Sequence, residues 1–508
     1  MVGLGLGYKF LLHVAKNAAN VREIYTPALC FIINELIFIL FNLGGKCMKN
    51  FKSIDEIFEL QNEFFNSQVT KNIDFRIKQL DTLKTAIEEY EGKIIEAINM
   101  DFDKCEFEAY ETEVGITLSE IKHVRNKIKK WASPQKVKTP LTNPGAKTYI
   151  YKQPYGVCLI MSPWNYPFYL CISPLIGAII GGNCAVIKPS ELSLNTSKVI
   201  KEMIEKYFDK KYIAVIEGEI EENKYLLSKD FDYIFFTGSP AVGKIVMETA
   251  SKNLTPCTLE LGGKSPCIVD KNCDLDLSAK KIVWGKILNG GQTCIAPDYI
   301  IAHKDIKNKL IENMKKYIVN FYGDDPIKSK DYASVINERH FNRILNLVNY
   351  DKVVYGGRND KKTLKIEPTI LDNVNLDDDV MNDEIFGPII PVLEFQTTDD
   401  IVKVVNANKN PLALYLFTKD KNFEEDILNR ISFGGGCVND TIMHISNHNA
   451  PFGGIGNSGI GSYHGKRSFD AFTHEKTVLK ASMIDIPFKY PPYTKKGLNL
   501  LKKSFEML

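Results

Sequence analysis

Residues 289–298 read NGGQTCIAPD, which places one thiol, Cys294, after two glycines and before a proline. Glycine allows a tight turn and proline cannot continue a helix, so the stretch predicts a turn with the thiol at the floor of a cleft. A free cysteine is nevertheless more often an inert, buried, small hydrophobic residue than a nucleophile. Cys294 is one of eleven cysteines, and the stretch alone leaves both interpretations open.

Three further stretches favour the nucleophile. They are PWNYP at 163–167, LELGGK at 259–264 and EIFGP at 384–388. Together with the thiol stretch, and in this order, they make the chain resemble the aldehyde dehydrogenase superfamily from about Met48 onward. The sequences QTCIAPDY at 292–299 and YPPY at 490–493 are similar to the class 3 branch, which includes the fatty-aldehyde enzymes. The resemblance implies an α/β fold with a Rossmann-type parallel-sheet cofactor domain, an α/β catalytic domain and a small oligomerisation hairpin.

The composition indicates a large globular protein. At 508 residues and 44% hydrophobic content, the chain can form two or three domains around a large core. Its 64 basic and 62 acidic residues leave a formal net charge of +2, which indicates neither nucleic acid nor another polyanion as a partner. The odd number of cysteines includes no C-x-x-C pair and no metal-ligand spacing with the eight histidines. A reducing, cytoplasmic location and the absence of a structural metal are therefore expected.

The first 47 residues differ in pattern from the rest of the chain. They include an apolar run at 28–43 that Asn34 and Glu35 interrupt. The run is shorter than the roughly 20 residues of a membrane span, and a central acidic group costs about 2–3.5 kcal/mol to insert. We therefore expect no stable membrane anchor, and we predict that residues 1–47 are an extension outside the fold. We hypothesise that they are a translated leader wrongly included in the reading frame; recovery of intact Met1 protein from the native gene would contradict this.

The hydrophobic pattern divides the remainder into three parts. Apolar residues recur every three or four positions from Ser53 to Lys130, which predicts surface helices, and 145–155 reads as an exposed hairpin that in the family helps form the subunit contact. From Tyr155 short apolar strands alternate with helices, which gives a parallel sheet with a ligand crevice at the carboxyl ends of its strands. The predicted strands are 156–161, 184–188, 212–216 and 231–237, and the predicted helices are 168–181, 196–207, 221–228 and 242–250. The predicted units are 48–260 for NAD(P) binding, 261–432 for catalysis, and 433–508 for a return to the cofactor domain with substrate-entrance loops and a dimerisation tail.

The adenosine end of a dinucleotide site is predicted at two strand ends. The sequence FTGSPAVGK at 236–244 follows a strand and opens a helix, where glycine lets the backbone approach a pyrophosphate and the helix N-terminus attracts its charge. It lacks the G-x-G-x-x-G spacing, so an ordinary strand-to-helix turn is the alternative. By resemblance, Lys188 and Glu191 hold the adenosine ribose, whereas without this context they would be a solvated pair.

The resemblance also assigns the nicotinamide end. Glu384 holds the nicotinamide ribose and Phe386 packs near the ring; a loop glutamate and a core phenylalanine are the alternative. The residues assigned to the cofactor are Lys188, Glu191, Gly238, Ser239, Gly243, Glu384 and Phe386. Because class 3 enzymes with this glutamate at Glu191 often take either dinucleotide, we expect NAD with NADP also accepted.

Three residues are predicted to carry the chemistry. Aldehyde oxidation needs a nucleophile because hydride leaves readily only from a tetrahedral carbon, so Cys294 is expected to form a thiohemiacetal and then a thioester. Asn165, with the backbone amide of Cys294, is the candidate oxyanion donor, although an asparagine between prolines could equally cap a turn. Glu260 is the candidate base that activates water, with a buried salt bridge as its alternative role. Because relatives that pass the thioester to coenzyme A usually lack this base, hydrolysis is predicted.

The substrate pocket is predicted from the resemblance alone. Tyr166, Trp284, Phe452 and His464 would line it, which suggests medium- or long-chain aliphatic and aromatic aldehydes, although all four could equally pack in the core or on the surface. Class 3 kinship implies a homodimer. Two rival interpretations remain, a coenzyme A-acylating aldehyde dehydrogenase and a non-catalytic dinucleotide-binding relative.

Overall fold

The computed structural model describes residues 51–140, 143, 145–483 and 490–506. The predicted extension, residues 1–47, lies outside these ranges. Among the helices in the described ranges, none combines the length and apolar character that a membrane span requires.

Strands and helices alternate through most of the described chain. The strands are β1 Gln135–Val137, β2 Lys147–Pro154, β3 Val157–Met161, β4 Cys184–Lys188, β5 Ile213–Val215, β6 Tyr233–Gly238, β7 Cys257–Leu261, β8 Pro266–Val269, β9 Tyr299–His303, β10 Val353–Tyr355, β11 Asn359–Asp360, β12 Lys365–Ile366, β13 Thr369–Leu371, β14 Ile389–Phe395, β15 Ala413–Phe417, β16 Gly435–Val438, β17 Gly459–Ile460 and β18 Thr473–Lys480. The α-helices are α1 51–66, α2 Ile73–Phe102, α3 Glu106–Ala109, α4 Ile116–Ala132, α5 Tyr169–Gly181, α6 Leu194–Tyr207, α7 Ile220–Leu227, α8 Pro240–Lys252, α9 Leu275–Ile287, α10 Lys307–Tyr322, α11 Glu338–Leu345, α12 Thr398–Ala407, α13 Lys421–Arg430, α14 Lys466–Ala471 and α15 Lys495–Glu506. A π-helical segment, Tyr110–Gly115, joins α3 to α4.

A six-stranded sheet has the order β17-β7-β6-β3-β4-β5. Its strands β7 to β5 are parallel, and β17 runs antiparallel to β7. Every residue of β3 and β4 is buried, which is why these strands read as unbroken apolar runs rather than as an alternating pattern. The predicted alternation of strands and helices is confirmed, and each of those elements begins and ends within two residues of its prediction.

A second sheet of seven strands has the order β10-β13-β14-β9-β8-β15-β16. Only β10 runs antiparallel to its neighbour. This sheet includes β16, so the second unit continues beyond the boundary predicted at residue 432. The return to the first unit is seen at β17, which pairs with β7.

A small antiparallel sheet has the order β1-β2-β18. The prediction of a hairpin within 145–155 is wrong, because Lys147–Pro154 forms one continuous strand. That strand pairs with β1 on one side and with β18, over three hundred residues later in the chain, on the other. An alternating pattern shows that a strand exists, but it does not show which strand pairs with it.

Candidate active site

A cavity of about 1080 Å³ is lined by residues of the six-stranded sheet and by residues of the helices and loops around both larger sheets. It brings together most of the predicted site residues. Those that line it are Asn165, Tyr166, Gly238, Ser239, Gly243, Glu260, Trp284, Cys294, Glu384, Phe386 and Phe452. Residues that lie up to almost three hundred positions apart in sequence therefore share one cleft.

Cys294 faces this cavity. Every other residue in 285–303 is buried, whereas Cys294 is partly exposed. The backbone before it turns through Asn289, Gly290 and Gly291, whose φ angles are 56°, 62° and 78°. Burial raises the pKa of the Cys294 thiol well above its usual range, and the carboxyl groups of Glu384 and Glu260 add to this, while the backbone amides of Cys294 and Ile295 lower it. The thiol is therefore neutral at rest and accessible from one side.

Asn165 is held beside the thiol stretch by hydrogen bonds at both ends. Its side-chain Nδ2 donates to the carbonyl oxygen of Gln292 at 3.0 Å, and its own carbonyl oxygen accepts from Asn289 Nδ2 at 2.7 Å. An amide nitrogen carries two protons, so the second proton of Nδ2 remains for another acceptor. Because Asn165 lines the cavity, that acceptor can be a ligand atom.

Glu260 lies in β7 with its carboxyl group at the cavity wall. The residue is 3% exposed, and neither carboxyl oxygen has a hydrogen-bond partner among the described residues. Burial alone raises the pKa of Glu260 well above its usual value. A buried salt bridge, the alternative role considered for Glu260, is not what the structure shows.

Tyr166 fixes the wall next to the thiol. Its hydroxyl and Thr293 Oγ1 lie 2.6 Å apart, and the Lys104 ammonium lies 4.6 Å from the centre of its ring. Burial raises the pKa of Tyr166 far above its usual range, so the hydroxyl stays protonated. The aromatic face of Tyr166 thus presents an apolar surface to the cavity.

The N-terminus of α8 meets the cavity after β6. Ser239 is the N-cap residue, and its Oγ accepts a hydrogen bond from the backbone N–H of Val242 at 3.4 Å. A Cβ atom at Gly243 would lie 2.6 Å from Leu261 Cδ2, so glycine there lets α8 approach β7 closely. Free helix N-terminal amides at a cavity wall attract an anionic group.

Glu384 and Phe386 also line the cavity. Glu384 Oε1 is buried without a hydrogen-bond partner among the described residues, and burial raises the pKa of this carboxyl group to about 8. A Cβ atom at Gly262 would lie 2.0 Å from Glu384 Oε2, so only glycine leaves room for the carboxyl group. Phe386 has a φ of 48° and packs edge-on against Trp164, with ring centres 5.3 Å apart.

The sequence pattern of the aldehyde dehydrogenase family matches residues 49–478. The chain belongs to the aldehyde dehydrogenase family. Its relatives include the 4,4'-diaponeurosporen-aldehyde dehydrogenase of Staphylococcus aureus, 48% identical over 87% of this chain and 96% of the relative. The dimeric NADP-preferring aldehyde dehydrogenase of Canis lupus familiaris is 44% identical over 86% of this chain and 98% of the relative. Aldehyde dehydrogenase family 3 member A2 of Pongo abelii is 45% identical over 82% of this chain and 86% of the relative.

A solved structure supports the same assignment. The substrate-bound state of Staphylococcus aureus AldH superposes with a TM-score of 0.87 at 47% identity, covering 89% of this chain and 99% of that one. The chain is therefore an NAD(P)-dependent aldehyde dehydrogenase of the class 3 type.

The residues of this aldehyde dehydrogenase fit a dinucleotide. Besides the carboxyl oxygens of Glu260, two buried oxygens at the cavity, Glu384 Oε1 and Thr237 Oγ1, have no hydrogen-bond partner among the described residues. A buried polar atom without a partner is costly, so these oxygens are suited to a ligand that carries hydroxyl groups. Together with the amides at the start of α8, they supply partners for both ribose and phosphate groups.

Lys188 and Glu191 do not line the cavity. Lys188 is the last residue of β4 and Glu191 lies three residues later, and Lys188 Nζ lies 3.4 Å from Glu191 Oε2. Because β4 is the neighbour of β3 in a parallel sheet, the pair lies on the same sheet edge as Asn165. Their assignment to the adenosine ribose stays a prediction.

The structure does not place His464 on the wall of the cavity, and its assignment to the substrate pocket stays a prediction. His464 is 1% exposed and contributes no surface to the cavity. Its Nε2 is hydrogen-bonded to the Tyr169 hydroxyl at 2.9 Å, and its ring stacks on Phe452, which does line the cavity. Burial lowers the pKa of His464 to about 3, so it is a neutral packing residue.

Several residues of the site were missed in the sequence. An apolar set also lines the cavity, namely Ile116, Tyr169, Leu170, Ile442, Met443 and Ile445. Gln292 and Asn289 stood in the quoted thiol stretch without a role, yet they tie Asn165 to it. The sequence could have indicated a role for these two residues, because two amide side chains that flank a glycine pair need hydrogen-bond partners when they are buried.

Proposed function

We propose that this enzyme oxidises medium- and long-chain aliphatic or aromatic aldehydes to carboxylic acids, with NAD as its cofactor and NADP also accepted. The observation that carries the proposal is that Cys294, the one partly exposed residue within 285–303, lines a cavity that Asn165 and Glu260 also line. A nucleophile, an oxyanion donor and a base around one open space are the parts that acyl chemistry requires.

Cys294 acts as the nucleophile. Its sulfur bonds to the aldehyde carbon, and because the thiol is neutral at rest, its proton passes to solvent in the open cavity as the bond forms. The backbone amides of Cys294 and Ile295 favour the developing thiolate. Attack produces a tetrahedral thiohemiacetal with a negatively charged oxygen.

Asn165 and the backbone N–H of Cys294 stabilise that oxygen. Asn165 uses one Nδ2 proton in its hydrogen bond to the Gln292 carbonyl oxygen. This hydrogen bond orients the side chain so that the second proton can bind an oxygen in the cavity. Preorganised donors of this kind each contribute about 3–4 kcal/mol to lowering the barrier. A dinucleotide held by Glu384 and the start of α8 would supply the acceptor for the hydride that leaves the thiohemiacetal carbon, and the carbon bound to Cys294 would then be a thioester.

Glu260 completes the reaction as the base for hydrolysis. Its unpartnered, desolvated carboxyl group has a raised pKa, which makes it a stronger base than an exposed glutamate once it is ionised. A water between Glu260 and the thioester loses its proton to Glu260, and the hydroxide releases the carboxylic acid from Cys294.

The cavity mouth supports the substrate class. Besides Tyr166, Trp284 and Phe452, its wall carries the apolar set Ile116, Leu170, Ile442, Met443 and Ile445. Ile442 has a φ of 59°, which is rare for a β-branched residue and fixes its side chain in the wall. Each buried CH₂ of a substrate contributes about 0.8 kcal/mol of binding, so longer chains gain affinity.

The pair at the end of β4 supports use of both dinucleotides. Glu191 would repel a 2′-phosphate, but Lys188 lies 3.4 Å from it and offsets that charge. The relative from Canis lupus familiaris carries the description NADP-preferring. Because the charges of Lys188 and Glu191 offset each other, we expect the enzyme to use NAD and also to accept NADP.

We also infer a cytoplasmic homodimer. The relative named dimeric is 44% identical to this chain. The β1-β2-β18 sheet and the edge strand β16, whose residues are all partly exposed, offer backbone edges for a second copy. Analytical ultracentrifugation tests this; a species of 57.5 kDa at micromolar concentration would contradict it.

A panel of aldehydes tests the activity. Acetaldehyde, hexanal, decanal, hexadecanal and benzaldehyde are each assayed for NADH or NADPH formation, with and without coenzyme A. The expected result is a kcat/KM that rises with chain length and does not depend on coenzyme A. A preference for acetaldehyde would refute the substrate class, and an absolute need for coenzyme A would favour the acylating alternative.

A further inference from the structure

Glu108 lies behind the cavity wall, on the short helix α3. Its side chain is buried, and it contributes no surface to the cavity, so it does not reach aldehyde or dinucleotide there. Its Oε1 atom accepts a hydrogen bond from the backbone N–H of Asn289 at 2.8 Å. None of the chemical steps above uses this carboxyl group.

The residue that Glu108 contacts begins the turn before the nucleophile. Asn289 has a φ of 56°, in the left-handed region that few residues other than glycine, asparagine and aspartate adopt. Asn289 is fully buried, so its backbone N–H needs a partner inside the protein. Glu108 supplies that partner and so stabilises the conformation of the turn.

Hydrogen bonds of the Asn289 side chain link this turn to Asn165. Its Nδ2 donates to the Asn165 carbonyl oxygen at 2.7 Å and to the Gln292 carbonyl oxygen at 3.2 Å. Asn165 Nδ2 donates to the same Gln292 oxygen at 3.0 Å. Glu108 is therefore two hydrogen bonds from the backbone of Asn165 and three from the side-chain amide that is to bind the oxyanion.

A second buried carboxyl group, that of Glu113, lies in the π-helical segment that directly follows α3. Glu113 Oε2 accepts from the backbone N–H of Phe168 at 2.8 Å, directly after the PWNYP stretch. Lys104, fully buried, lies 3.2 Å from Glu113 Oε1 and provides the counter-charge for both carboxyl groups.

We propose that Glu108 is a positioning residue that sets the orientation of Asn165, and hence the oxyanion site, through Asn289. This rests on the proposed roles of Asn165 and Cys294. Loss of the Glu108 acceptor releases the turn, so the amide of Asn165 no longer points at the developing charge. Displacements of about 1 Å in such a site lower rates by about a hundredfold.

Steady-state kinetics of Glu108→Ala, Glu108→Gln and the exposed neighbour Glu106→Ala test the proposal. We expect Glu108→Ala to lower kcat by about ten- to a hundredfold, while the dinucleotide Kd, measured by quenching of protein fluorescence, does not change. Glu108→Gln keeps an oxygen that accepts the Asn289 N–H, so its kcat should stay near that of the wild type. Glu106→Ala should match the wild type.

A double-mutant cycle separates positioning from general destabilisation. If Glu108 acts through Asn165, adding Glu108→Ala to Asn165→Ala should cost nothing further. Should Glu108→Ala not fold, Asn289→Gly tests the same link, since it keeps the N–H and the left-handed turn but removes the side chain; it should lower kcat similarly. Three results would each overturn the proposal. They are a wild-type kcat in Glu108→Ala or Asn289→Gly, equal losses of kcat in Glu108→Ala and Glu108→Gln, and a kcat in the double variant that is lowered by both factors multiplied. Failure of the proposed function would give a different result, because Cys294→Ala would then form NADH from an aldehyde as fast as the wild type.

Discussion

Lys264 Nζ donates to Asp298 Oδ2 at 2.7 Å, and the two side chains are 2% and 4% exposed. Lys264 also donates to the carbonyl oxygens of Val380 and Asp383, at 2.7 and 2.9 Å. Asp298 Oδ1 accepts from the backbone N–H of Ile385 at 3.1 Å. This ion pair therefore joins the end of the thiol stretch to the loop that carries Glu384.

Removing the Asp298 carboxylate should strongly destabilise the protein. Asp298→Ala leaves Lys264 without its charged partner. It also removes the carboxylate from Lys286, whose buried Nζ lies 3.6 Å from Asp298 Oδ1. Burial lowers the pKa of Lys286 to about 8. Breaking one side of a buried ion pair typically costs about 3–5 kcal/mol. Urea unfolding measures the loss, with the exposed Asp305→Ala as the control; a change below that of the control would contradict the role given to the pair.

Cys294→Ala should abolish turnover without abolishing dinucleotide binding. The nucleophile is lost, so kcat falls by about a thousandfold or more, whereas Glu384 and the start of α8 are unchanged. NADH formation and fluorescence titration with NAD measure the two properties. Cys437→Ala is the matched control, since Cys437 is also a partly exposed free thiol; its variant should remain active.

Glu260→Gln should stop the reaction after the first half. Without a base to activate water the thioester accumulates, so rapid mixing should show a burst of one NADH per active site followed by a much slower steady rate. The control is Glu120→Gln, a buried carboxyl group with a pKa raised to about 7 that does not line the cavity. Undiminished steady turnover in Glu260→Gln would remove Glu260 from the mechanism.

Glu384 should make the stability of the protein without dinucleotide depend on pH. Its pKa is about 8 in the folded protein against 4.5 in the unfolded chain, so the folded state binds an extra proton between these values. Wild-type stability should therefore fall by about 1.4 kcal/mol per pH unit across this window relative to Glu384→Gln, which cannot ionise. Urea unfolding at several pH values measures the difference. A constant difference from pH 5 to pH 8 would show that the burial of Glu384 does not govern its ionisation.

Glu191→Gln should shift dinucleotide preference toward NADP. The change removes the charge that opposes a 2′-phosphate and leaves Lys188 free to attract it. The ratio of kcat/KM for NADP to that for NAD should rise about tenfold, the effect of removing about 1.4 kcal/mol of repulsion. An unchanged ratio would place the adenosine ribose away from the end of β4.

Local sequence patterns predicted which segments form strands and helices better than they predicted which strands pair with each other. The apolar runs of β3 and β4 and the helices between them could be read from the sequence, because both faces of these strands are buried. The pairing of β2 with β18 could not, since register depends on a strand far away in the chain. His464 shows the same limit within the site, because a motif places a residue near a pocket but does not decide which way its side chain turns.

The sequence by itself determined the chemistry of this protein: a thiol beside two glycines, an asparagine between prolines and a glutamate before a glycine pair indicated the aldehyde dehydrogenase reaction without any coordinates. Only the tertiary structure decided that Cys294 stays partly exposed at the cavity while the rest of its stretch is buried, and that Glu108 accepts a hydrogen bond from the backbone of Asn289. Nucleophilicity and acidity belong to residue types, so they appear in a sequence. Exposure and hydrogen-bond partners arise where distant segments pack together, so they appear only in the folded chain.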